Sequence, residues 1–102
     1  MLIQKGYQAG DVVVFKTVTG DEIVAKIVET LSDGFLVNRP CTVIPSPQGL
    51  GLMQSMISAD INTNVTLKSE HIIMHGPVIQ DIENHYIRTT TGIQPAKSGI
   101  IT

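Results

Sequence analysis

The sequence predicts a mainly β domain: a small barrel of five bent antiparallel strands with a short helix near its C-terminal end. Three observations predict it. Ile, Val and Thr supply 34 of the 102 residues, and these β-branched side chains suit pleated strands. Gly and Pro recur at short intervals, as turns between short strands require. After Pro77 the apolar spacing changes from that of a strand to that of a helix.

The first strand covers residues 11–18, opened by Gly10, and Thr19-Gly20-Asp21 is a tight turn. The second covers residues 22–30. There Ile23, Ala25 and Ile27 share one face, and Val24, Lys26 and Val28 the other, as in a strand covered on two sides. Ser32-Asp33-Gly34 turns the chain into a third strand over residues 35–43. Pro40 lies inside it and cannot donate to a ladder, so this strand bends or meets an edge there. Residues 45–51 read as a loop, and residues 52–59 as a fourth strand, with Met53 and Met56 keeping helix open. Residues 60–64 are polar turn material, residues 65–74 a fifth strand, and Gly76-Pro77 ends it. Val78, Ile79, Ile82, Tyr86 and Ile87 then fall at helical spacing, with Asp81 and Glu83 early and Arg88 late, an order that suits the helix dipole. A helix is expected over residues 78–88. Residues 89–102 hold two Gly, one Pro and five Ser or Thr, and read as a loose tail.

The length implies one domain, with a core at about residues 10–79 and a C-terminal extension over 80–102. So small a domain buries only about two thirds of its unfolded surface, so self-association would help it. Seven Lys or Arg against nine Asp or Glu leave a net charge of −2, which excludes a generally basic nucleic-acid binder but not a local patch. The single Cys41 excludes an intramolecular disulfide and a cysteine-built zinc site. No apolar run approaches the roughly 20 residues of a membrane span, and residues 1–10 lack the apolar stretch of a signal peptide. The expectation is a cytoplasmic protein without a membrane partner.

Five short strands with sharp turns describe an SH3-like barrel, and the details resemble the Sm-like family. The first family motif is a strand, a glycine turn, a long strand, a short turn and a third strand. Its counterparts are Val12-Val13-Val14-Phe15-Lys16-Thr17-Val18-Thr19-Gly20, then residues 22–30, then Phe35-Leu36-Val37-Asn38. The second motif ends an apolar strand on a basic residue and glycine, and Ile72-Ile73-Met74-His75-Gly76-Pro77-Val78-Ile79 is similar, with His75-Gly76 where Arg-Gly is frequent. The chain departs from the family in the turn before the third strand, where Leu31-Ser32-Asp33-Gly34-Phe35 replaces an Asp-x-apolar-Met-Asn element. The loop over residues 45–64 and the C-terminal addition most resemble the Sm-like proteins of cyanophages, which would place the chain in the host cytoplasm.

The resemblance implies a closed homo-oligomeric ring of about five to seven subunits, pentamer or hexamer favoured, made by pairing the fourth strand of one subunit with the fifth of the next. In this chain those edges would lie at residues 52–57 and 66–72. It also implies single-stranded RNA at the pore, where the turn before the third strand and the turn after the fifth converge. The RNA-binding candidates are Asp33, Phe35, Asn38, His75 and Gly76. Histidine can stack on a base and donate to phosphate. Phe35 could stack a base, although a phenylalanine opening a strand is more often core. Arg39 suits ion pairing or solvent, and Lys16, Lys26 and Lys68 could form a weak basic face.

No serine elbow, paired-carboxylate motif or Walker lysine is present, so no enzyme and no cofactor is expected. His71 and His75 have zinc spacing only on a helix; on a strand they stand about 13 Å apart, too far for one metal. Cys41 reads as a buried, inert thiol. Beside the RNA-binding ring stands a second possibility, a structural or protein-interaction ring of phage origin without nucleic-acid affinity.

Overall fold

Val13, Phe15 and Thr17 alternate with Val12, Val14 and Lys16, so the strand they form has two usable faces, and both are used. The computed structural model describes residues 6–91. Six strands, β1 (Val12–Thr17), β2 (Glu22–Leu31), β3 (Gly34–Ser46), β4 (Gly49–Gln54), β5 (Asn64–Lys68) and β6 (Ile72–Pro77), precede one helix, α1 (Gln80–Thr91). They form one antiparallel sheet in the order β4-β3-β2-β1-β6, with β5 also on β3. The fold is mainly β with a C-terminal helix, as the sequence predicts; the sheet is not closed, though its course is consistent with a barrel. No helix among the described residues is long and apolar enough to cross a membrane.

The β1–β2 turn forms as its glycine requires. Gly20 sits at φ 94, a region open to residues without a Cβ, and its N–H meets the Thr17 carbonyl at 2.9 Å. One face of the sheet buries Val13, Phe15, Ala25, Ile27, Phe35 and Val37. The other buries Val24 and Cys41 against Tyr86 of α1, with Val12, Val14, Leu52 and Ile82 around them. The two-sided covering expected for the second strand is therefore present, and α1 supplies the second cover.

The long third strand takes two partners along one edge. Residues Gly34 to Asn38 pair with β5, and residues Cys41 to Ser46 pair with β4. The change of partner falls at Arg39 and Pro40, where the β2–β3 register also shifts between Val24 and Lys26. The bend expected at Pro40 is there. Gly34 is required at the other end, because a Cβ on it would collide with the Leu67 carbonyl oxygen across the β3–β5 pair.

Four sequence expectations change. The strand expected over residues 65–74 is two strands, β5 and β6, separated by a 3-10 turn at Ser69–His71. The polar Ser69-Glu70-His71 triplet leaves no buried residue in that turn, so nothing holds it on a sheet face. The loop expected over residues 45–51 is instead the tip of a β3–β4 hairpin, closed by Ser46 opposite Gly49. The fourth strand accordingly starts at Gly49 and ends at Gln54, and turns fill residues 55–63. The helix starts at Gln80 and runs on to Thr91, taking in three threonines assigned to the tail. Thr90 is buried, and its hydroxyl donates back to the Tyr86 carbonyl at 2.8 Å, which satisfies it within the helix. The rest of the expected tail, residues 92–102, lies outside the described residues.

Tyr86 joins the helix to the sheet. Its side chain is fully buried, and its hydroxyl lies 2.9 Å from both the Asn38 and the Arg39 carbonyl oxygens, which share the one proton. Burial pushes this hydroxyl's pKa well above its ordinary value. Unfolded tyrosine ionises near pH 10, so the contribution of Tyr86 is complete below that pH and declines as pH rises beyond it. Tyr86→Phe should cost about 1–3 kcal/mol at neutral pH, because two buried carbonyls lose their donor. It should also remove part of the alkaline loss of stability. Urea unfolding of both proteins at pH 7 and above pH 10 checks the two effects.

Candidate functional site

His75 faces Phe15 across the β6–β1 ladder, and directly opposed residues share a face. Phe15 is fully buried, so its partner strand carries His75 onto the inner face at the sheet rim. Phe35, at the start of β3, packs on Phe15 with ring centroids 5.1 Å apart. It also meets the His75 ring edge-on at 5.4 Å and 70°. Tyr7 completes the group from the segment before β1, at 5.4 Å and 67° from His75 and 6.0 Å from Phe35. Edge-on and tilted ring pairs of this kind suit the aromatic quadrupole and add about 0.5–1.5 kcal/mol each beyond burial.

The segment that delivers Tyr7 is itself tied down. The Gln8 N–H donates to the Asp11 carboxylate at 2.9 Å, and the Gly10 N–H donates to the Ile27 carbonyl at 2.8 Å. The Tyr7 hydroxyl lies 2.7 Å from His75 Nδ1. Burial, and secondarily the Asp11 charge, raise the Tyr7 pKa, so the phenol keeps its proton. In the tautomer that carries its N–H on Nε2, His75 accepts the Tyr7 hydroxyl proton at Nδ1; in the other, Nδ1–H donates to the Tyr7 oxygen. Gly6, Tyr7, Thr30, Phe35, His75 and Gly76 line an open cleft here. It offers ring edges and a donor, and among the described residues no Lys or Arg lines it.

Of the residues singled out in the sequence, the structure brings Phe35, His75 and Gly76 together. Phe35 is mostly core, 9% exposed, yet its ring reaches the cleft. Asp33 and Asn38 are elsewhere. Asp33 sits on the β2–β3 turn with the Lys68 ammonium at 3.0 Å, and that hydrogen bond and charge lower its carboxyl pKa. Its carbonyl accepts from the Ser69 N–H at 2.9 Å, joining the turn to the 3-10 segment. The Asn38 side chain donates to the Asn64 side chain at 3.1 Å across the β3–β5 pair. Both therefore hold strands together and do not line the cleft.

The expected basic face is largely neutralised, since Lys68 is paired to Asp33 and Lys16 approaches Glu22 at 4.0 Å. His71 lies on the 3-10 turn beside Glu70, at 3.4 Å. Among the described residues no three His, Cys, Asp or Glu side chains gather in a metal-binding group. Cys41 is buried, and burial raises its thiol pKa, so the thiolate needed for nucleophilic chemistry is disfavoured. Tyr7 is the residue that sequence reasoning missed. It stands 68 positions from His75, and no local pattern around it signals that contact.

No protein-family model and no curated protein matches the chain.

Tyr7→Phe keeps the ring packing and removes the hydroxyl. It should lower stability by only about 0.5–1.5 kcal/mol. It should also change the tautomer balance of His75 that the Tyr7 hydroxyl sets, which imidazole 15N chemical shifts would reveal.

Proposed function

We propose that the chain is the subunit of an Sm-like homo-oligomeric ring, and that the ring takes single-stranded RNA at the cleft around His75. The observation that carries this reading is that β5 and β6 are open edges of one sheet, as is β4. Among the described residues β5 is paired only to β3 and β6 only to β1, so each presents an unpaired row of N–H and C=O groups. Edges of this kind are liabilities unless covered. Pairing β5 of one subunit with β6 of the next covers both and closes under cyclic symmetry. The edges that would pair are those of β5 and β6, residues 64–68 and 72–77; β4, which holds residues 52–54, is a further open edge, paired among the described residues to β3 alone. A ring of five to seven subunits, five or six favoured, follows from the family likeness.

Ligand recognition would rest on stacking. Unstacked bases bind to aromatic and histidine faces, and Tyr7, Phe35 and His75 supply those, with the His75 ring N–H as donor. Phosphate contacts from the described residues would be few, because no Lys or Arg among them lines the cleft. The dependence of affinity on salt would then be shallow.

The same lack of cations among the described lining residues, with a net charge of −2, favours a second reading: a scaffold or protein-interaction ring of phage origin without nucleic-acid affinity. Two measurements on the purified protein separate these. Native mass spectrometry should give one closed oligomer of identical subunits; a monomer would sink the ring. Fluorescence anisotropy with labelled U-rich and A-rich single strands should show binding that His75→Ala weakens about tenfold, given the roughly 1–3 kcal/mol of one stacked base. A ring that binds neither strand supports the scaffold. Binding unchanged by His75→Ala removes the cleft from the RNA site.

A further inference from the structure

One long stretch of the chain carries no charge. Residues 40–59 hold no Asp, Glu, Lys, Arg or His, and they make the second half of β3, all of β4 and the first of the turns that follow. Within them Ile44, Leu50, Met53, Met56 and Ile57 are exposed. The β3–β4 hairpin also outruns the sheet. β2 stays with β3 only as far as the Ile23–Thr42 pair, so among the described residues Val43 to Ser46 have β4 as their one strand partner. A two-stranded ribbon is marginal in water, and further strands are what make one stable.

The free edge of this ribbon is β4, Gly-Leu-Gly-Leu-Met-Gln. Open edges are commonly guarded by charges or proline. β5 holds Lys68, and β6 holds His75 and Pro77. β4 has no such guard, since Pro45 lies on the β3 arm and Pro47 at the tip. On β4, Leu50 and Leu52 share one face, and Gly51 stands between them. Neither crowding nor a left-handed backbone requires glycine there: an added Cβ would come no closer than 3.7 Å to the Ile44 carbonyl oxygen, and the residue has no positive φ. Glycine inside a strand often marks the place where another backbone comes close.

We propose that β4 is a docking edge for a second copy of this chain, with the two β4 strands paired antiparallel about a two-fold axis at Gly51. An antiparallel pair of identical strands is two-fold symmetric, so one edge serves both partners. Such an axis sets the residues around β4 against their own counterparts, which on a charged surface would bring like charges together; residues 40–59 bring none. With Gly51 on the axis, Leu50 of each copy stands opposite Leu52 of the other. The two ribbons then become one four-stranded sheet with apolar side chains matched across the join. The edge is separate from β5 and β6, so this pairing does not rest on the ring. Without a ring it gives a dimer, and with one it joins two rings under dihedral symmetry.

Gly51→Cys in the full chain tests the axis. Directly opposed residues of an antiparallel pair have Cα atoms about 4.5–5.5 Å apart, within disulfide range, and Cys41 is buried and does not compete. Under mild oxidation Gly51→Cys should give a disulfide-linked dimer, and Val18→Cys, exposed at the β1–β2 turn, should not at the same concentration. Native mass spectrometry should find an even number of wild-type subunits. Leu50→Lys sets two ammonium groups beside the axis and should halve that number with the far-UV circular dichroism unchanged. Should Leu50→Lys fail to fold, amide exchange of the wild type decides: residues 49–54 should gain protection as rising concentration doubles the assembly. The assignment is overturned by an odd subunit number, by Leu50→Lys that folds and keeps the wild-type mass, or by Gly51→Cys that cross-links no more than Val18→Cys. It is also overturned if amides of residues 49–54 are already protected before doubling, because something other than a second copy then covers the edge.

Discussion

Pro40 has no amide proton to give to a ladder, and Arg39 before it sits at φ 51. The 13-residue β3 therefore cannot run as one uninterrupted strand. This break lets one edge of β3 carry β5 on its first half and β4 on its second. The exposed groups at the gap are taken up locally. The Pro40 carbonyl accepts from the Ser55 N–H at 2.9 Å, and the Asn38 and Arg39 carbonyls share the Tyr86 hydroxyl. A left-handed non-glycine residue costs on the order of 1–3 kcal/mol. The buried tyrosine and the Arg39 contacts to Thr90 and Asn62 offset that cost at the place where it arises.

The two cores meet at this break. On one face the Phe15 and Phe35 rings extend to Tyr7 and His75 and form the aromatic cleft. On the other, Val24 and Cys41 lie under Tyr86, and a cavity beside Arg39 opens between α1 and the turns that follow β4. Because β5 is confined to the first half of β3 and β6 returns to β1, two of the sheet's three open strands, β5 and β6, are joined by a three-residue turn, the third being β4. The cleft sits beside one of those edges, since His75 belongs to β6. In the proposed ring, assembly and ligand binding draw on the same strand.

Much of this was legible in the sequence. Val13, Phe15 and Thr17 alternate cleanly, Gly20 marks its turn, and Pro40 announces the break, because each signal acts within a few residues. The helix was legible from Ile82 and Tyr86, but its end was not, since the back-bonded hydroxyl of Thr90 keeps a β-branched residue helical. The division of residues 65–74 escaped notice because apolar residues flank Ser69-Glu70-His71 on both sides and mimic one long strand. Pro45 and Pro47 disguised the β3–β4 hairpin as a loop, as prolines demote a strand wherever they fall. Within the cleft, His75 and Phe35 stood out by residue type and place. Tyr7 did not, because its contact depends on the whole sheet bringing β6 alongside the segment before β1.

The most direct test of the edge-pairing interface is amide hydrogen exchange over residues 64–77, followed as protein concentration rises. If β5 of one subunit pairs with β6 of the next, both strands gain protection together, over the same concentration range and in step with the oligomer. Amides of β5 and β6 that exchange at an unchanged rate in the assembled protein, or that gain protection in only one strand, would contradict it.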